Sequence, residues 1–345
     1  MLKESNSIAQ GDIGTKAGKE ACADDAGSSR FSGLPRWMRA HEIQILCVNL
    51  VVGFLLTLAS PYFLNADNLT AVAIGFATDA IIAVAMTMIL ITGGFDLSVG
   101  AVLAFGGMVA ALCLQAGWNM WVSILCALAS GALIGAVNGL IITRIKVNPL
   151  ITTLGMLSIV NSLTLVISGG YPLSSFPKAF LFIGQGFLFG IPFSVLIMIV
   201  LILVGDVLLR NTRALRLLYY VGSNENAAML SGIPVRLVRF WVYVFGGFMA
   251  ALAGIIATSR LSSAFPLAGS GTELRVISAC VIGGASLAGG EGTILGSLLG
   301  VLLMGLISNG LVLLNVSTYW QGIVSGTILI AAVTFDILSR QRKGT

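Results

Sequence analysis

Charge is what this sequence has least of: Asp, Glu, Lys and Arg fill only 10% of 345 positions. A water-soluble domain of that length needs a charged, solvated shell, and these residues cannot supply one. Histidine is almost missing too, His41 being the only one. With a single histidine and no HExxH or GxSxG arrangement, neither a zinc protease nor a serine-type intramembrane enzyme can be assembled, and no catalytic residue is expected. The five cysteines (Cys22, Cys47, Cys113, Cys126, Cys280) are scattered without CxxC or metal-ligand spacing, and read as small buried hydrophobes. There is no GxxxxGK[ST] run, so the backbone cradle and lysine that bind ATP phosphates are lacking. No metal or cofactor is expected on this chain.

What fills the space is apolar sequence, 57% of all residues, in recurring runs of about 20 residues, enough to cross roughly 30 Å of hydrocarbon as helix. An outer-membrane barrel would show short alternating segments instead. The 42 glycines suit membrane helices, where small residues let backbones approach. The sequence predicts an all-α polytopic membrane protein with spans at 43–60, 69–91, 99–115, 121–142, 149–168, 191–209, 238–258, 273–289, 294–315 and 320–338. The net charge of +5 does not point to nucleic acid, because the basic residues cluster between and beyond the apolar runs. With the N-terminus inside, all of the 19 Lys and Arg residues except Lys178, Arg260 and Arg275 fall on the cytoplasmic side, as retention of positive charge requires. Ten spans with both ends cytoplasmic is the solution consistent with that pattern. Residues 1–40, polar and without an apolar core, are expected to be a disordered cytoplasmic tail; 41–340 form the transmembrane domain and 341–345 a second tail. Trp118, Trp121, Tyr319 and Trp320 lie at span ends, as an interfacial aromatic belt would.

Two connections are unlike ordinary loops. One runs Thr92-Gly93-Gly94-Phe95-Asp96-Leu97-Ser98-Val99-Gly100; the other covers 283–292 with Gly283, Gly284, Gly289 and Gly290. Each is glycine-rich, carries one carboxylate and is enclosed by apolar sequence. Irregular backbone at membrane depth survives only where protein or a water-filled cavity satisfies it, and paired interruptions of this kind point to a central pathway. The alternative is two unrelated Gly-rich turns. Asp96 has two readings: a fixed charge at the broken segment, or, with Ser98, a cap for the helix that starts near Val99. Asn161, Ser162, Ser308 and Asn309 are further candidates for the pathway, whose lining is expected to be neutral and polar.

Residues 210–240 form a long basic connection containing Val221-Gly222-Ser223-Asn224-Glu225-Asn226-Ala227-Ala228-Met229-Leu230-Ser231-Gly232-Ile233-Pro234. From Asn224 to Leu230 the residues favour about two helical turns, capped by Ser223 or Asn224 and stopped by Gly232 and Pro234. Such a short capped helix is either a docking device or a plain interfacial link.

This run, 221–234, resembles the coupling segment of bacterial ABC-importer permeases, with its Glu-Ala-Ala…Gly pattern. From about 45 to 338 the chain is similar to the ribose, xylose and galactose branch of sugar permeases, also through Met88-Ile-Leu-Ile-Thr-Gly-Gly-Phe-Asp-Leu-Ser-Val-Gly100, Asn138-Gly-Leu-Ile-Ile-Thr-Arg-Ile-Lys-Val-Asn-Pro149 and 282–292. In the register set by Gly232, Asn226 stands where the general motif has Glu; in the sugar-permease register Glu225 keeps the acid and Asn226 replaces Ala. Ser231-Gly232-Ile233 favours the second. The resemblance implies a monosaccharide permease whose Glu225, Asn226, Ala227, Ala228, Ser231 and Gly232 engage a partner ATPase, the subunit that uses ATP and Mg. It further implies a periplasmic sugar-binding protein and a second permease copy or paralogue, in the bacterial inner membrane. The competing class is an ion-coupled secondary transporter of a small neutral solute. That would need ionisable residues within spans; of Asp79, Asp96, Asp206, Glu273 and Asp336, only Asp79 and Asp96 lie deep.

Overall fold

The computed structural model describes residues 40–317 and, beyond them, 319, 320, 322–324, 326–328, 330, 331, 333 and 334. Among the described residues seven helices are long and apolar enough to span a membrane. They are α1 (Ala40–Ala59), α2 (Ala66–Ile91), α4 (Met120–Leu140, prolonged by a π-turn at Ile141–Ile145), α5 (Pro149–Ser168), α7 (Phe193–Asn211), α10 (Val235–Leu261) and α12 (Ile294–Leu313). α3 (Val99–Gln115) is apolar but shorter. The remaining helices are α6 (Lys178–Gln185), α8 (Arg213–Ser223), α9 (Glu225–Leu230) and α11 (Thr272–Ile282).

Eight of the ten expected spans fall on these elements. The expected span 273–289 is corrected: α11 stops at Ile282, because Gly283 packs directly on α12 and Gly284 turns the chain at φ +90°. A Cβ on Gly283 would lie 2.5 Å from the Gly296 carbonyl oxygen. The last expected span, 320–338, lies partly outside the described residues, as do both predicted tails. Helix starts are set locally: Asn65, Asn119 and Asn148 each accept a hydrogen bond from the backbone N–H two residues on, at 3.1, 2.9 and 2.8 Å. At α5, Pro149 sits at the first helical position, where its missing N–H costs nothing.

α2 and α10 form the centre. The second half of α2, from Ala77 to Ile91, is almost wholly buried, while α1, α5 and α7 present leucines and valines outward, Leu58 and Val166 among them. Outward apolar side chains are what hydrocarbon surroundings require. α10 crosses α4 at Gly131, Gly135 and Gly247 and crosses α3 at Gly107 and Gly254. A Cβ on Gly247 would stand 2.1 Å from the Gly131 carbonyl oxygen, so the backbones themselves are in contact there. At the far end of α10 two small strand pairs fix the connections. Leu173–Ser174 (β1) pairs antiparallel with Ser263–Ala264 (β4). Phe187–Leu188 (β2) pairs with Ile191–Pro192 (β3) through Phe189 and Gly190, both at positive φ as a tight hairpin turn demands.

Candidate functional site

The near end of α10 carries the segment that the sequence singled out. α7 ends at Thr212, which also caps α8, an amphipathic helix with Leu218 and Val221 buried and Arg213 and Arg216 exposed. α9 follows at once. Asn224 caps it, its Oδ1 accepting from Ala227 N–H at 3.0 Å, so Asn224 and not Ser223 is the cap. The helix closes with a complete Schellman motif: Gly232 N–H donates to the Met229 carbonyl and Ile233 N–H to the Ala228 carbonyl, both at 3.0 Å. Gly232 sits at φ +79°, which explains why glycine is needed. Ala228 is buried against Val221 and Val235 and anchors α9. Glu225, Asn226, Ala227 and Ser231 stay exposed, and so do Met229 and Leu230, the latter 91%.

The helix is tied inward by a residue that sequence reading did not single out. Arg239, in the first turns of α10, donates from Nη1 to Glu225 Oε2 at 2.8 Å. Its Nη2 donates to the Thr92 carbonyl at 3.2 Å and its Nε at 3.4 Å. Thr92 ends α2 and opens the first glycine turn, so one guanidinium bridges α9 and the broken segment. A planar fork with several fixed donors suits that double task better than an ammonium.

The two glycine turns, almost 200 residues apart in sequence, meet here. Gly290 N–H donates to the Ile91 carbonyl at 2.8 Å, and Tyr219 of α8 donates its hydroxyl to the Gly292 carbonyl at 2.8 Å. Gly222 lies between them: a Cβ there would fall 1.8 Å from the Ile91 carbonyl oxygen and 2.6 Å from the Gly290 nitrogen. Gly93, Gly289 and Gly290 are at φ +74°, +86° and +77°. Gly289 is itself packed on Gly222 and Gly93. The last turn of α8, the end of α2 and the 283–292 turn thus form one backbone-to-backbone junction.

Beneath the first turn lies a buried polar network. Asp96, Ser98 and Asn138 are buried. Asp96 Oδ1 accepts from Ser98 N–H at 2.8 Å and from the Ser98 hydroxyl. Asn138 Nδ2 donates to Ser98 Oγ at 2.9 Å. Tyr243 donates its hydroxyl to the Phe95 carbonyl at 3.0 Å and stands over Gly94, where a Cβ would be 2.7 Å away. Ser98 occupies the cap position of α3 without a side-chain capping bond, and Asp96 closes the turn onto Ser98 without capping α3. The carboxylate fixes the shape of the broken segment.

The other candidates lie elsewhere. Asn161 is half-buried on α5. Asn309, near the far end of α12, exchanges side-chain hydrogen bonds with Asn68 at 2.8 and 3.2 Å. With Ser308 it lines a cavity of about 400 Å³ whose other polar residues are Asp79, Arg260 and Arg275. That lining is charged, unlike the neutral one expected for the pathway. Arg275 Nε donates to Asp79 Oδ2 at 3.2 Å and its Nη2 to Thr272 Oγ1 at 3.0 Å. A larger cavity, about 530 Å³, lies between α7, α8 and α10 and is almost entirely apolar.

A bundle of membrane-length helices, with one short capped helix bonded to interrupted helix ends, is the build of a transport permease component. The chain belongs to that class by comparison as well: the family described as "Branched-chain amino acid transport system / permease component" matches residues 68–333. It is 42% identical over 299 residues to the ribose import permease protein RbsC of Escherichia coli (strain K12), covering 86% of this chain and 93% of that one. It is 39% identical over 288 residues to the protein of the same name from Bacillus subtilis (strain 168), covering 83% and 89%. With the L-arabinose ABC transporter permease protein AraH of Azospirillum brasilense it shares 37% over 307 residues, covering 89% and 91%. No solved structure matches the chain significantly.

Proposed function

We propose that the chain is the membrane-spanning subunit of an ABC importer that moves a monosaccharide, pentose or hexose, across the bacterial inner membrane. α9 is its coupling helix, with Glu225, Asn226, Ala227, Ala228, Ser231 and Gly232 forming or shaping the contact with an ATPase subunit that binds ATP and Mg. Ten spans with both termini cytoplasmic put α9 on the ATPase side, and a periplasmic sugar-binding protein delivers the sugar to the opposite face. A second copy or a paralogue completes the pathway, because two ATPase domains need two coupling helices.

The observation that carries this reading is the Glu225–Arg239–Thr92 bridge, with the Gly222 junction beside it. A helix that only linked two spans would have no need of a guanidinium joining it to the broken end of α2. Movement of α9 under ATPase closure is delivered through that bridge and junction to both glycine turns. The secondary-transporter alternative loses ground because, of the two deep acids, Asp79 is paired with Arg275 at 3.2 Å and Asp96 is held by Ser98 inside its own turn. At Asp79 the fixed cationic partner favours the charged form at every step, which a proton-relay acid does not want.

The test is reconstitution in proteoliposomes. The purified chain alone should hydrolyse no ATP and gain hydrolysis and D-ribose or L-arabinose uptake only with its ATPase and loaded binding protein. Uptake driven by a proton gradient without an ATPase would overturn the reading.

A further inference from the structure

The larger of the two cavities, between α7, α8 and α10, contains none of the residues of the bridge or the glycine junction. Its volume of about 530 Å³ is within the roughly 300–1,000 Å³ of small-molecule sites. Trp241 alone among its lining side chains carries a nitrogen or oxygen; the rest is hydrocarbon or methionine. Such a lining offers water no hydrogen bonds and stays dry. The cavity is not sealed, however: Leu237 and Trp241 are more than half exposed and Val204 is half exposed. On a chain surrounded by lipid, that opening faces hydrocarbon. Along α10 the lining runs from Pro234 to Met249, about 22 Å at 1.5 Å per residue. That exceeds half of a roughly 30 Å hydrocarbon core and falls well short of the whole. It is the reach of a single lipid in one leaflet.

We propose that this cavity holds one acyl chain of an anionic phospholipid whose phosphate is met by Arg213 and Arg216. The headgroup assignment follows from the corner where α7 gives way to α8. Leu208 and Ala214 line the cavity on either side of that corner. Arg213 opens α8 one turn before Leu217 of the lining, so the two side chains are neighbours on the helix surface. Arg216 turns back towards the corner and donates to the Asn211 carbonyl at 3.4 Å. Both arginines are exposed. Among the described residues neither forms an ion pair, whereas Arg210 and Arg239 on the same stretch are paired with carboxylates. Guanidinium groups left for an outside anion, beside an apolar groove between spans, suit a lipid phosphate. α8 itself, basic on one side with Leu218 and Val221 buried on the other, has the build of a helix lying in the interface plane. Two other occupants fit less well. The segment 1–39 is polar and holds no apolar run of the cavity's length. A two-fold copy would set the same patch against itself, leaving two cavities facing each other unfilled and bringing like-charged arginines together. The lipid acts as a wedge between α7 and α10 and steadies α8 directly ahead of α9. Only a bilayer around the chain is required, whatever is transported.

The test uses the full chain in phosphatidylcholine nanodiscs doped with phosphatidylglycerol that carries a diazirine in its acyl chain. After irradiation, peptide mass spectrometry locates the adducts. Labelling should be enriched several-fold on 201–208 and 237–249 over the outward faces of α1 and α5. The same diazirine on phosphatidylcholine should show no such enrichment. Even labelling of all outward faces, or equal enrichment with both lipids, would overturn the proposal. So would a signal that vanishes in isolated nanodiscs holding two copies, because a second copy then covers the face. Val204→Trp places an indole in the cavity from a half-exposed position and should reduce labelling of 237–249 several-fold. Arg213→Gln combined with Arg216→Gln leaves the interior untouched and should make the two lipids label alike. Selectivity that persists in this arginine variant would refute the site. Labelling needs neither ATPase nor sugar, so its failure and the failure of the importer reading are separate results.

Discussion

Replacing Arg239 separates the two jobs that the bridge performs. The bond to Glu225 is a half-exposed ion pair, with side-chain exposures of 24% and 47%. Such pairs are worth about 0–1 kcal/mol, being screened by solvent and salt. The bond to the Thr92 carbonyl differs in kind. It joins a charged donor to a carbonyl at the end of α2, where the donor group is shielded, and charge-assisted bonds of that sort contribute about 1.5–3 kcal/mol. Glu225→Gln removes only the first and should lower uptake by no more than about fivefold. Arg239→Gln removes both, a combined loss of about 2–3 kcal/mol in coupling, or roughly 30- to 150-fold in uptake. The assay is initial uptake of radiolabelled D-ribose into proteoliposomes holding the chain, its ATPase and its binding protein, normalised to inserted permease. ATP hydrolysis is read in parallel and, in Arg239→Gln, should fall much less than uptake, because the face of α9 proposed to meet the ATPase is unaltered in that variant. Equal uptake by the two variants would refute the reasoning, since the Thr92 contact would then carry nothing.

Three further outcomes are expected. Gly222→Ala forces a methyl onto the Ile91 carbonyl and should destabilise the purified protein by about 1–3 kcal/mol, as overpacking does; Gly155→Ala, which meets open space, should not lower the melting temperature. At Gly232, where only φ is at stake, uptake should fall in the order Asn, Ala, Val, because the left-handed conformation costs about 1–2 kcal/mol for most residues and less for Asn. Uptake assays on the three variants would expose any other order. Tyr243→Phe leaves the Phe95 carbonyl without its donor and should cost about 1 kcal/mol in a thermal melt.

Much of the fold was legible because apolar runs report spans directly. The bounds of α5 came out at 149–168 since Asn148, Pro149 and Gly169 punctuate both ends locally. α9 was legible for the same reason, its cap and its Schellman glycine being neighbours in sequence. Which helix faces which was not legible. In a membrane both the core side and the lipid side of a helix are apolar, so periodicity says little about packing. Glycine marked the two broken turns, yet nothing local could say that Gly290 would bond to Ile91 or that Gly222 would be wedged against both. Arg239 was counted among topology-setting charges, and its bridging role depends on a partner nearly 150 residues upstream. Likewise Asp79 and Arg275 read as separate charges, and their pairing spans 196 positions. α8 escaped notice because a basic stretch reads as a loop until its buried Leu218 and Val221 are seen.

α10 carries Arg239 near one end and Arg260 near the other, and its backbone is pressed against α4 at Gly247 and against α3 at Gly254. Those two contacts lie about 12 Å and 9 Å from the respective arginines at 1.5 Å per residue. Close backbone approaches run along the whole helix, from Phe240 on Gly139 to Arg260 on Gly184, so α10 is clamped from end to end and has no single pivot. A displacement at Arg239 is then carried by α10 as a beam, together with the α3 and α4 backbones pressed against it, and the glycines at those crossings set how tightly the three move as one.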